Sequence, residues 1–233
     1  MPDRLTIAAR TQGRVLVRRP SSSPPWPALI GFHGYGMNAG QMIELLEQIP
    51  DASAWLLVSV QGLHRFYGRD QKTVVASWMT SEDRDAAIAD NIRYVADVVD
   101  AVKHAWPFDE LVYAGFSQGV SMAFRAAIRA GRRCDGVIAL GGDIPPELLA
   151  DASISWPQVV LGRGDDDAYY SASVFERDAA HLQRAGALAA RVTVAGGHEW
   201  SRAFCDGAGE FLSALRHRSP LDALGPNGPR IKL

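Results

Sequence analysis

One serine in this sequence lies between two glycines, in the segment Gly115-Phe-Ser-Gln-Gly119. A serine hydroxyl is a weak nucleophile until a neighbouring base takes its proton, and that base needs a third group to hold it in the right tautomer. The apolar residues 110–114 before the segment and the helical pattern 120–130 after it predict a strand, a sharp turn and a helix. Glycines two residues either side of the serine permit such a turn. Ser117 is therefore a candidate nucleophile.

Two later segments supply candidates for the base and the third group. Gly162-Arg-Gly-Asp-Asp-Asp-Ala168 and Ala195-Gly-Gly-His-Glu-Trp200 each follow a predicted strand. The order serine, acid, histidine is the order expected after a nucleophile turn of this kind. Right-handed crossovers bring the loops that follow parallel strands to one edge of the sheet. We therefore expect His198 and one aspartate of the run to lie beside Ser117.

Backbone N–H groups near the serine predict a site for a developing negative charge. The N–H of Gln118 lies at the predicted helix amino terminus, where it can point at an oxyanion. A second donor is expected from the loop after an early strand, and Phe32-His-Gly-Tyr-Gly-Met37 follows the apolar residues 28–32. Its two glycines would let the N–H of Tyr35 approach the same point. Tyr35 and Gln118 are the predicted oxyanion donors.

Strands and helices alternate along most of the chain. Apolar strand patterns cover 28–32, 55–60, 110–114, 137–140, 159–161 and 190–194, and helical patterns cover about 39–48, 83–105, 120–130, 173–185 and 201–216. This alternation predicts an α/β fold with a mostly parallel central sheet and helices on both faces.

The remaining segments set the expected boundaries of the domain. We expect one domain over residues 1–218, with a hairpin over 4–19 that turns at Gln12-Gly13, and a flexible tail rich in proline and glycine over 219–233. The stretch between Leu140 and Pro157 is too short for a separate lid domain.

Composition narrows the class of protein. The 233 residues are 47% hydrophobic, and 24 basic against 26 acidic residues give a net charge of −2, which disfavours a nucleic-acid partner. No apolar run is long enough for a transmembrane helix and no secretory signal is visible, so we expect a cytoplasmic protein. Cys134 and Cys205 are expected to be reduced, buried thiols, because their spacing fits neither a metal site nor a disulfide framework. The consecutive aspartates lack the spacing of a calcium loop.

The chain resembles the α/β-hydrolase superfamily, specifically the phospholipase/carboxylesterase group that includes the acyl-protein thioesterases. The motifs that carry the resemblance span most of residues 28–215: Phe32-His-Gly-Tyr-Gly36, Gly115-Phe-Ser-Gln-Gly119, Arg163-Gly-Asp-Asp-Asp167 and Gly196-Gly-His198. The resemblance implies that Ser117 is the nucleophile, that His198 is the general base and then the general acid, and that the N–H groups of Tyr35 and Gln118 form the oxyanion hole. It implies no cofactor or metal, and a structural role for His33.

The same resemblance selects the acid. In that group the aspartate lies three residues after the glycine of a His-Gly pair; here Arg163-Gly164 replaces that pair, which points to Asp167. The proline-containing segment that commonly follows is replaced by Ala168-Tyr-Tyr170, so Asp166 is kept as the alternative.

Aromatic and apolar residues near these motifs are candidates for a substrate-binding wall. In the long connection 61–80, Phe66, Tyr67, Trp78 and Met79 either line an acyl-chain site or pack the connection onto the domain, and the sequence leaves both open. Tyr169 and Trp200 flank the proposed acid and base and join the predicted wall, as do Tyr35 and Phe116.

The residues together predict a serine hydrolase that cleaves carboxylic esters of short-to-medium acyl chains through an acyl-enzyme. The alternatives are a thioesterase or a dienelactone-type hydrolase, which more usually carries a cysteine nucleophile, and a non-catalytic receptor for a small ligand. The expected partner is a small-molecule ester. The leaving group and the oligomeric state, a homodimer included, are left open.

Overall fold

The centre of the protein is a seven-stranded sheet, seen in a computed structural model that describes residues 2, 3, 5–7 and 9–217. In chain order the strands of the protein are β1 (Val15–Arg18), β2 (Trp26–Phe32), β3 (Leu56–Val60), β4 (His64–Tyr67), β5 (Val74–Ser77), β6 (Phe108–Phe116), β7 (Gly136–Leu140), β8 (Gln158–Gly164) and β9 (Leu188–Val194). The sheet order is β1-β3-β2-β6-β7-β8-β9, and β4 pairs with β5 in a separate hairpin. Only β1 runs antiparallel to its neighbour in the large sheet.

Helices cover both faces of the sheet. They are α1 (Ala39–Leu46), α2 (Arg84–Ala105), α3 (Gln118–Arg129), α4 (Pro146–Leu149), α5 (Ala172–Arg184) and α6 (Arg202–Arg216). Buried side chains of α1 and α6 pack on one face, and those of α2, α3 and α5 pack on the other. The predicted α/β class with a mostly parallel sheet is confirmed. Between β7 and β8 the structure has only the short α4, so the described residues contain no separate lid domain. None of the described helices is both long and apolar enough to cross a bilayer.

Local sequence explains why these elements form where they do. All seven residues of β2 are buried, as expected for a central strand covered on both faces. In α2, Val95, Val99 and Val102 recur at spacings of three and four and are buried against the sheet. The side chain of Asn38 accepts a hydrogen bond from the N–H of Gln41 and completes a capping box that starts α1.

The predicted hairpin over residues 4–19 is wrong. Among the residues of this range that the structure describes, only Val15–Arg18 forms a strand, and it pairs with β3 instead of with an earlier strand. The edge of β3 satisfies the backbone hydrogen bonds of β1, and the inward side chains of Val15 and Val17 pack against the core. Leu5 and Ile7 are exposed. Residues 4 and 8, and the tail predicted over 219–233, lie outside the described residues.

The long connection after β3 forms the β4–β5 hairpin, which the sequence did not predict. The hairpin is attached to the loop after β2 by two backbone hydrogen bonds. The N–H of Gly36 donates to the carbonyl oxygen of Ala76 at 3.0 Å, and the N–H of Ala76 donates to the carbonyl oxygen of Met37 at 2.8 Å. The hairpin is therefore fixed beside the loop that holds Tyr35.

Candidate active site

Three polar side chains from three strand ends form one hydrogen-bonded chain. Ser117 directly follows β6, Asp167 follows β8 and His198 follows β9. The Nε2 atom of His198 lies 2.8 Å from Oγ of Ser117, and its Nδ1 atom lies 2.8 Å from Oδ2 of Asp167. The parallel sheet thus brings together three residues that are 50 and 31 positions apart in the chain.

The backbone at Ser117 is strained, and two glycines make that strain tolerable. Ser117 has φ 54° and ψ −122°, a combination that non-glycine residues rarely adopt. A Cβ atom on Gly119 would lie 2.0 Å from the carbonyl oxygen of Phe32, and one on Gly115 would lie 2.5 Å from the carbonyl oxygen of Gly119. The turn can form only because both positions lack a side chain, and it projects the serine hydroxyl from the end of the sheet.

The carboxyl group of Asp167 is buried and fully engaged. Its Oδ1 atom accepts hydrogen bonds from the N–H groups of Tyr169 and Tyr170 at 2.8 and 2.9 Å, while Oδ2 faces His198. Burial by itself raises the pKa of Asp167, but the three N–H donors around the carboxyl outweigh burial and leave its pKa below the ordinary value. The group is held as a carboxylate, which is the form that orients and stabilises a protonated imidazole.

The two other aspartates of the run have different surroundings. Asp165 uses Oδ1 to accept the N–H of Gly196 at 2.9 Å, which ties this loop to the loop of His198. The side chain of Asp166 is exposed, and its backbone N–H donates to the carbonyl oxygen of Gly196. The buried guanidinium of Arg163 donates to the carbonyl oxygens of Tyr170 and Asp165 at 3.1 and 3.3 Å and so braces the turn. Asp167 alone of the three faces His198.

The loop after β2 lies against the serine. A Cβ atom on Gly34 would lie 3.3 Å from Cβ of Ser117, so this loop passes as close as a glycine allows. Among the described residues, the structure records no acceptor for the N–H of Tyr35 or of Gln118. Both predicted oxyanion donors therefore keep a free N–H beside the serine turn.

The imidazole of His33 is hydrogen-bonded both to this loop and to the residue Gly62 that follows β3. Its Nδ1 atom lies 2.7 Å from the carbonyl oxygen of Gly34, and its Nε2 atom accepts the N–H of Gly62 at 3.0 Å. Burial lowers the pKa of His33, with a smaller opposing effect from the hydrogen bond to Gly34. A neutral imidazole with a proton on Nδ1 satisfies both contacts, so His33 is engaged in structure and does not serve as a base.

Two residues of the predicted substrate wall are placed in the core. Trp78 is fully buried, and its Nε1 atom donates to the carbonyl oxygen of His33 at 2.8 Å. Met79 is also buried, and the carbonyl oxygens of Met79 and Trp78 accept hydrogen bonds from Gln118 and Asn91 respectively. Of the two roles left open for Trp78 and Met79, burial and these contacts favour packing of the domain over the predicted substrate wall.

Aromatic rings do surround the imidazole of His198. Phe116 stacks on it with ring centroids 5.0 Å apart, and Tyr169 lies against it at 4.9 Å. Trp200 meets Phe116 edge-on at 6.1 Å. Tyr169 is 84% exposed, so it forms an outer wall over the histidine.

A cavity of about 600 Å³ opens beside the loop after β2. Its walls come from Tyr35 and Gly36 on one side and from the β4–β5 hairpin on the other, including Phe66, Tyr67 and Arg69. The rings of Tyr35 and Phe66 lie 5.5 Å apart. Ser117, Asp167 and His198 are not among the residues that line this cavity; the cavity is next to the loop after β2, which contributes Tyr35 and Gly36 to its wall.

Sequence reasoning missed one supporting residue, Gly141, and one supporting role, that of the Gln118 side chain, since it had singled out only the backbone N–H of Gln118. Gly141, with φ +69°, lies where a Cβ atom would come within 3.0 Å of Cε1 of His198. The side chain of Gln118 accepts the N–H of Trp78 at 2.9 Å and donates to the carbonyl oxygen of Met79 at 2.9 Å, which ties the start of α3 to the end of the hairpin. The glycine pair directly after the predicted strand 137–140 was a usable signal for Gly141. Nothing in the sequence indicated the contacts of the Gln118 side chain.

No group of three or more histidine, cysteine, aspartate or glutamate side chains in the described part of the chain is placed to hold a metal ion. The arrangement instead has the parts needed for acyl transfer: a hydroxyl, an imidazole, a buried carboxylate and two unpaired backbone N–H groups.

Comparisons with known proteins identify the family and support the fold. Residues 16–215 match the Phospholipase/Carboxylesterase family. A search of curated proteins gave no match. Similar solved structures include esterase PE8, with 22% identity, a TM-score of 0.69 and coverage of 88% of this chain and 100% of that one. The Bacillus cereus carboxylesterase has 17% identity, a TM-score of 0.70 and coverage of 87% and 94%. Zea mays acyl-protein thioesterase 2 has 19% identity, a TM-score of 0.65 and coverage of 88% and 99%.

The family match covers most of the chain, and the solved structures share its fold over nearly their whole length. The chain belongs to the phospholipase/carboxylesterase family, a family of hydrolases with the α/β-hydrolase fold.

Proposed function

We propose that this protein is a serine hydrolase that cleaves carboxylic esters of short-to-medium acyl chains through an acyl-enzyme. The observation that carries the proposal is the hydrogen-bonded chain from Ser117 through His198 to Asp167, with both nitrogens of the imidazole at 2.8 Å from their partners. A protein that only bound a ligand would have no physical need for this ordered relay, which disfavours the receptor alternative.

The first half of the reaction acylates the serine. Nε2 of His198 takes the proton of Ser117 as Oγ attacks the ester carbonyl, and the negative charge moves to the carbonyl oxygen. The Asp167 carboxylate, held ionised by its N–H donors, keeps a proton on Nδ1 and stabilises the imidazolium. The imidazolium then gives the proton from Nε2 to the leaving alcohol, and the acyl group remains on Oγ.

The second half repeats these steps with water. His198 takes a proton from water as the water attacks the acyl-enzyme, and it returns that proton to Oγ when the carboxylic acid leaves. In both halves the N–H groups of Tyr35 and Gln118 hold the oxyanion. Removing one such donor typically costs about a hundredfold to a thousandfold in rate.

The preference for short-to-medium chains is supported by the walls around the site. Tyr35 and Tyr67 are 62% and 63% exposed, and Phe66 is 37% exposed, so the adjoining cavity is open along its length. With Phe116, Tyr169 and Trp200 these residues form the proposed substrate wall. Rates for p-nitrophenyl esters from acetate to palmitate test it: we expect the highest kcat/KM among the shorter esters, and a maximum at palmitate would contradict the proposal.

The central test compares the wild type with Ser117→Ala on p-nitrophenyl butyrate. We expect loss of at least about a thousandfold in kcat, as for removal of a triad nucleophile. Ser121→Ala, in α3 four residues further along, is the matched control and should keep wild-type activity. Circular dichroism and thermal melting establish that each variant is folded. Equal inactivity of the wild type and both variants, with no labelling of Ser117 by a phosphonate, would support the receptor alternative.

The same assay separates esters from thioesters. The structural similarity to an acyl-protein thioesterase makes a thiol leaving group the second candidate. A butyryl thioester and p-nitrophenyl butyrate pass through the same acyl-enzyme, so the ratio of their kcat/KM values reports the leaving-group preference alone. A ratio strongly in favour of the thioester would replace the ester assignment.

A further inference from the structure

A second cavity, of about 210 Å³, lies at the amino end of α1, where Asn38 and Gly40 form part of its wall. Arg14, Gln61 and Arg65, which carry guanidinium and amide groups, also line this cavity. None of these residues belongs to the hydrogen-bonded chain of Ser117, His198 and Asp167, and the first cavity shares none of them. In volume it corresponds to roughly seven water molecules of the liquid, enough for a small polar group.

Two guanidinium groups contribute positive charge to this cavity. Arg14 and Arg65 form no ion pair with any carboxylate of the described residues. The guanidinium of Arg65 donates one hydrogen bond to the carbonyl oxygen of Gln12, which is a neutral acceptor. By contrast, many arginines elsewhere in the described chain are paired, as Arg132 is with Asp100. The two unpaired cations therefore leave a local excess of positive charge.

A buried amide group adds an unused donor. Gln61 is only 4% exposed, and its Oε1 atom accepts the N–H of Ala39 at 2.8 Å. That bond fixes the carboxamide, and its Nε2 atom is buried and has no hydrogen-bond partner among the described residues. A buried donor without an acceptor is destabilising, so such groups generally mark a missing ligand or water.

The start of α1 contributes a third kind of donor. Asn38 accepts the N–H groups of Gln41 and Met42, and Gln61 accepts that of Ala39. The N–H of Gly40 is left without an acceptor among the described residues, at the positive end of the helix dipole. This N–H, the amide of Gln61 and the two guanidinium groups are all donors, which is the composition of an anion site.

We propose that this cavity binds a small oxyanion, a phosphate or carboxylate group, held by Arg14, Arg65, Nε2 of Gln61 and the N–H of Gly40. The group belongs either to a free anion or to the remote end of a substrate. The proposal does not rest on hydrolysis by Ser117, because binding is measured without turnover.

The experiment is calorimetric titration of the full-length protein with inorganic phosphate at constant ionic strength. Gln61→Glu is the most informative variant, since the carboxylate still accepts the N–H of Ala39 but replaces the free donor with a negative charge. Arg65→Gln removes one cation and is the second variant. The matched control is Arg133→Gln, which removes the same charge from an exposed side chain that does not line the cavity. Urea unfolding shows that each variant is folded.

We expect saturable binding of phosphate to the wild type and to Arg133→Gln with equal Kd, and a Kd at least about tenfold higher for Gln61→Glu and Arg65→Gln. Absence of saturable binding to the wild type would overturn the proposal. Equal Kd values for the wild type and both cavity variants would overturn it too, because the phosphate would then be bound elsewhere.

A kinetic comparison distinguishes the two sources of the anion. If the group belongs to a substrate, Gln61→Glu lowers kcat/KM for an ester that carries a remote carboxylate, such as p-nitrophenyl hydrogen succinate, but not for p-nitrophenyl butyrate, and phosphate competes with the anionic ester alone. If the anion is free, Gln61→Glu changes kcat/KM for neither ester, although it still weakens phosphate binding. Both results require the site; they differ in what occupies it.

Discussion

Three consecutive aspartates differ in what their side chains contact. Asp165 ties two loops together, Asp166 faces solvent, and Asp167 accepts two backbone N–H groups as well as His198. The sequence could place the acid within this run, because the run follows a predicted strand. Choosing among the three took the resemblance to a family, since neighbouring residues in a tight turn point in directions that depend on backbone angles.

Asparagine at position 167 should disable the site without displacing it. Its amide NH2 would face Nδ1 of His198, so the imidazole would carry its proton on Nε2 and could no longer accept one from Ser117. We expect kcat for p-nitrophenyl butyrate to fall by about 10⁴-fold, as for the corresponding change in other triads.

Asp166→Asn is the matched control for this change, because the side chain of Asp166 is exposed and the imidazole is hydrogen-bonded to Asp167 instead. We expect less than about a threefold change in kcat, in line with the small effects of surface substitutions. A severe effect of Asp166→Asn with a mild effect of Asp167→Asn would reverse the assignment of the acid.

Burial decides which aromatic residues can meet a substrate. The sequence left Trp78 and Met79 open between packing and binding, because an apolar side chain in a long connection serves either purpose. Long-range contacts resolve the question: Trp78 donates to the carbonyl oxygen of His33, 45 residues earlier in the chain. No local pattern could have indicated that contact.

At the scale of elements, the turn between β6 and α3 depends on close approach to β2. Gly119→Ala would place Cβ 2.0 Å from the carbonyl oxygen of Phe32, which is backbone and cannot move aside cheaply. We expect the free energy of unfolding, measured with urea, to fall by about 3 kcal/mol or more, with loss of activity.

Gly131→Ala serves as the control for backbone strain. Gly131 has φ +66° but no atom within 4 Å of a built Cβ, so alanine there meets strain without a clash. We expect the free energy of unfolding of Gly131→Ala to fall by about 1 kcal/mol. Equal losses for the two variants would show that the close approach of β2 and α3 is not what demands glycine at position 119.

The contact of His33 with Gly62 joins the loops after β2 and β3 and makes their association sensitive to pH. Burial lowers the pKa of His33 in the folded protein, whereas in the unfolded chain His33 has its ordinary pKa of about 6.5. Between those two pKa values only the unfolded state binds the proton. The contribution of neutral His33 to the free energy of unfolding is therefore complete above the pKa of His33 in the unfolded chain. It is lost progressively as the pH falls below that pKa.

We expect the unfolding free energy of the wild type to decrease as pH falls below about 6.5, with His33 contributing up to about 1.4 kcal/mol per pH unit. The His33→Gln variant should show a shallower slope, whatever its stability at neutral pH. Urea unfolding at several pH values measures both slopes. His181, whose pKa is also lowered by burial, is present in both proteins and cancels in the comparison. Parallel slopes would contradict the assignment.

Strands that are apolar along most of their length were predictable, whereas the β4–β5 hairpin was not. β2 and β6 to β8 are short apolar segments that a sequence pattern detects directly. β4 is exposed at all four positions and carries His, Arg, Phe and Tyr, so it has no alternation to detect. It forms because β5 pairs with it, and β5 is in turn fixed by the hydrogen bond from the N–H of Ala76 to the carbonyl oxygen of Met37.

At the scale of the whole molecule, the two cysteines lie on opposite faces of the sheet. Cys134 packs against the cluster that contains α2 and α3, and Cys205 is buried in the cluster that contains α1 and α6. Burial raises the pKa of Cys134 to about 12 and that of Cys205 to about 11, so both stay protonated at neutral pH. A protonated thiol is a poor nucleophile.

Alkylation of the native protein by iodoacetamide should therefore be slow and should leave esterase activity unchanged. In increasing urea, both thiols should become reactive at the same midpoint, because the two faces share one sheet and unfold together. Mass spectrometry of quenched samples reports each cysteine separately. Distinct midpoints for Cys134 and Cys205 would show that the two faces unfold independently.

The attachment of the β4–β5 hairpin has a consequence for how such a protein can diverge. Its base is bonded to the loop after β2, whereas residues 69–73 at its tip are exposed and held mainly by Asp70, which accepts the N–H groups of Lys72 and Thr73 at 2.9 Å. The tip contributes Arg69 and Gln71 to the larger cavity, and Ser117, Asp167 and His198 do not line that cavity. Insertions and substitutions at the tip can therefore accumulate over generations and redirect the choice of substrate, while the chemistry at the sheet edge is inherited unchanged.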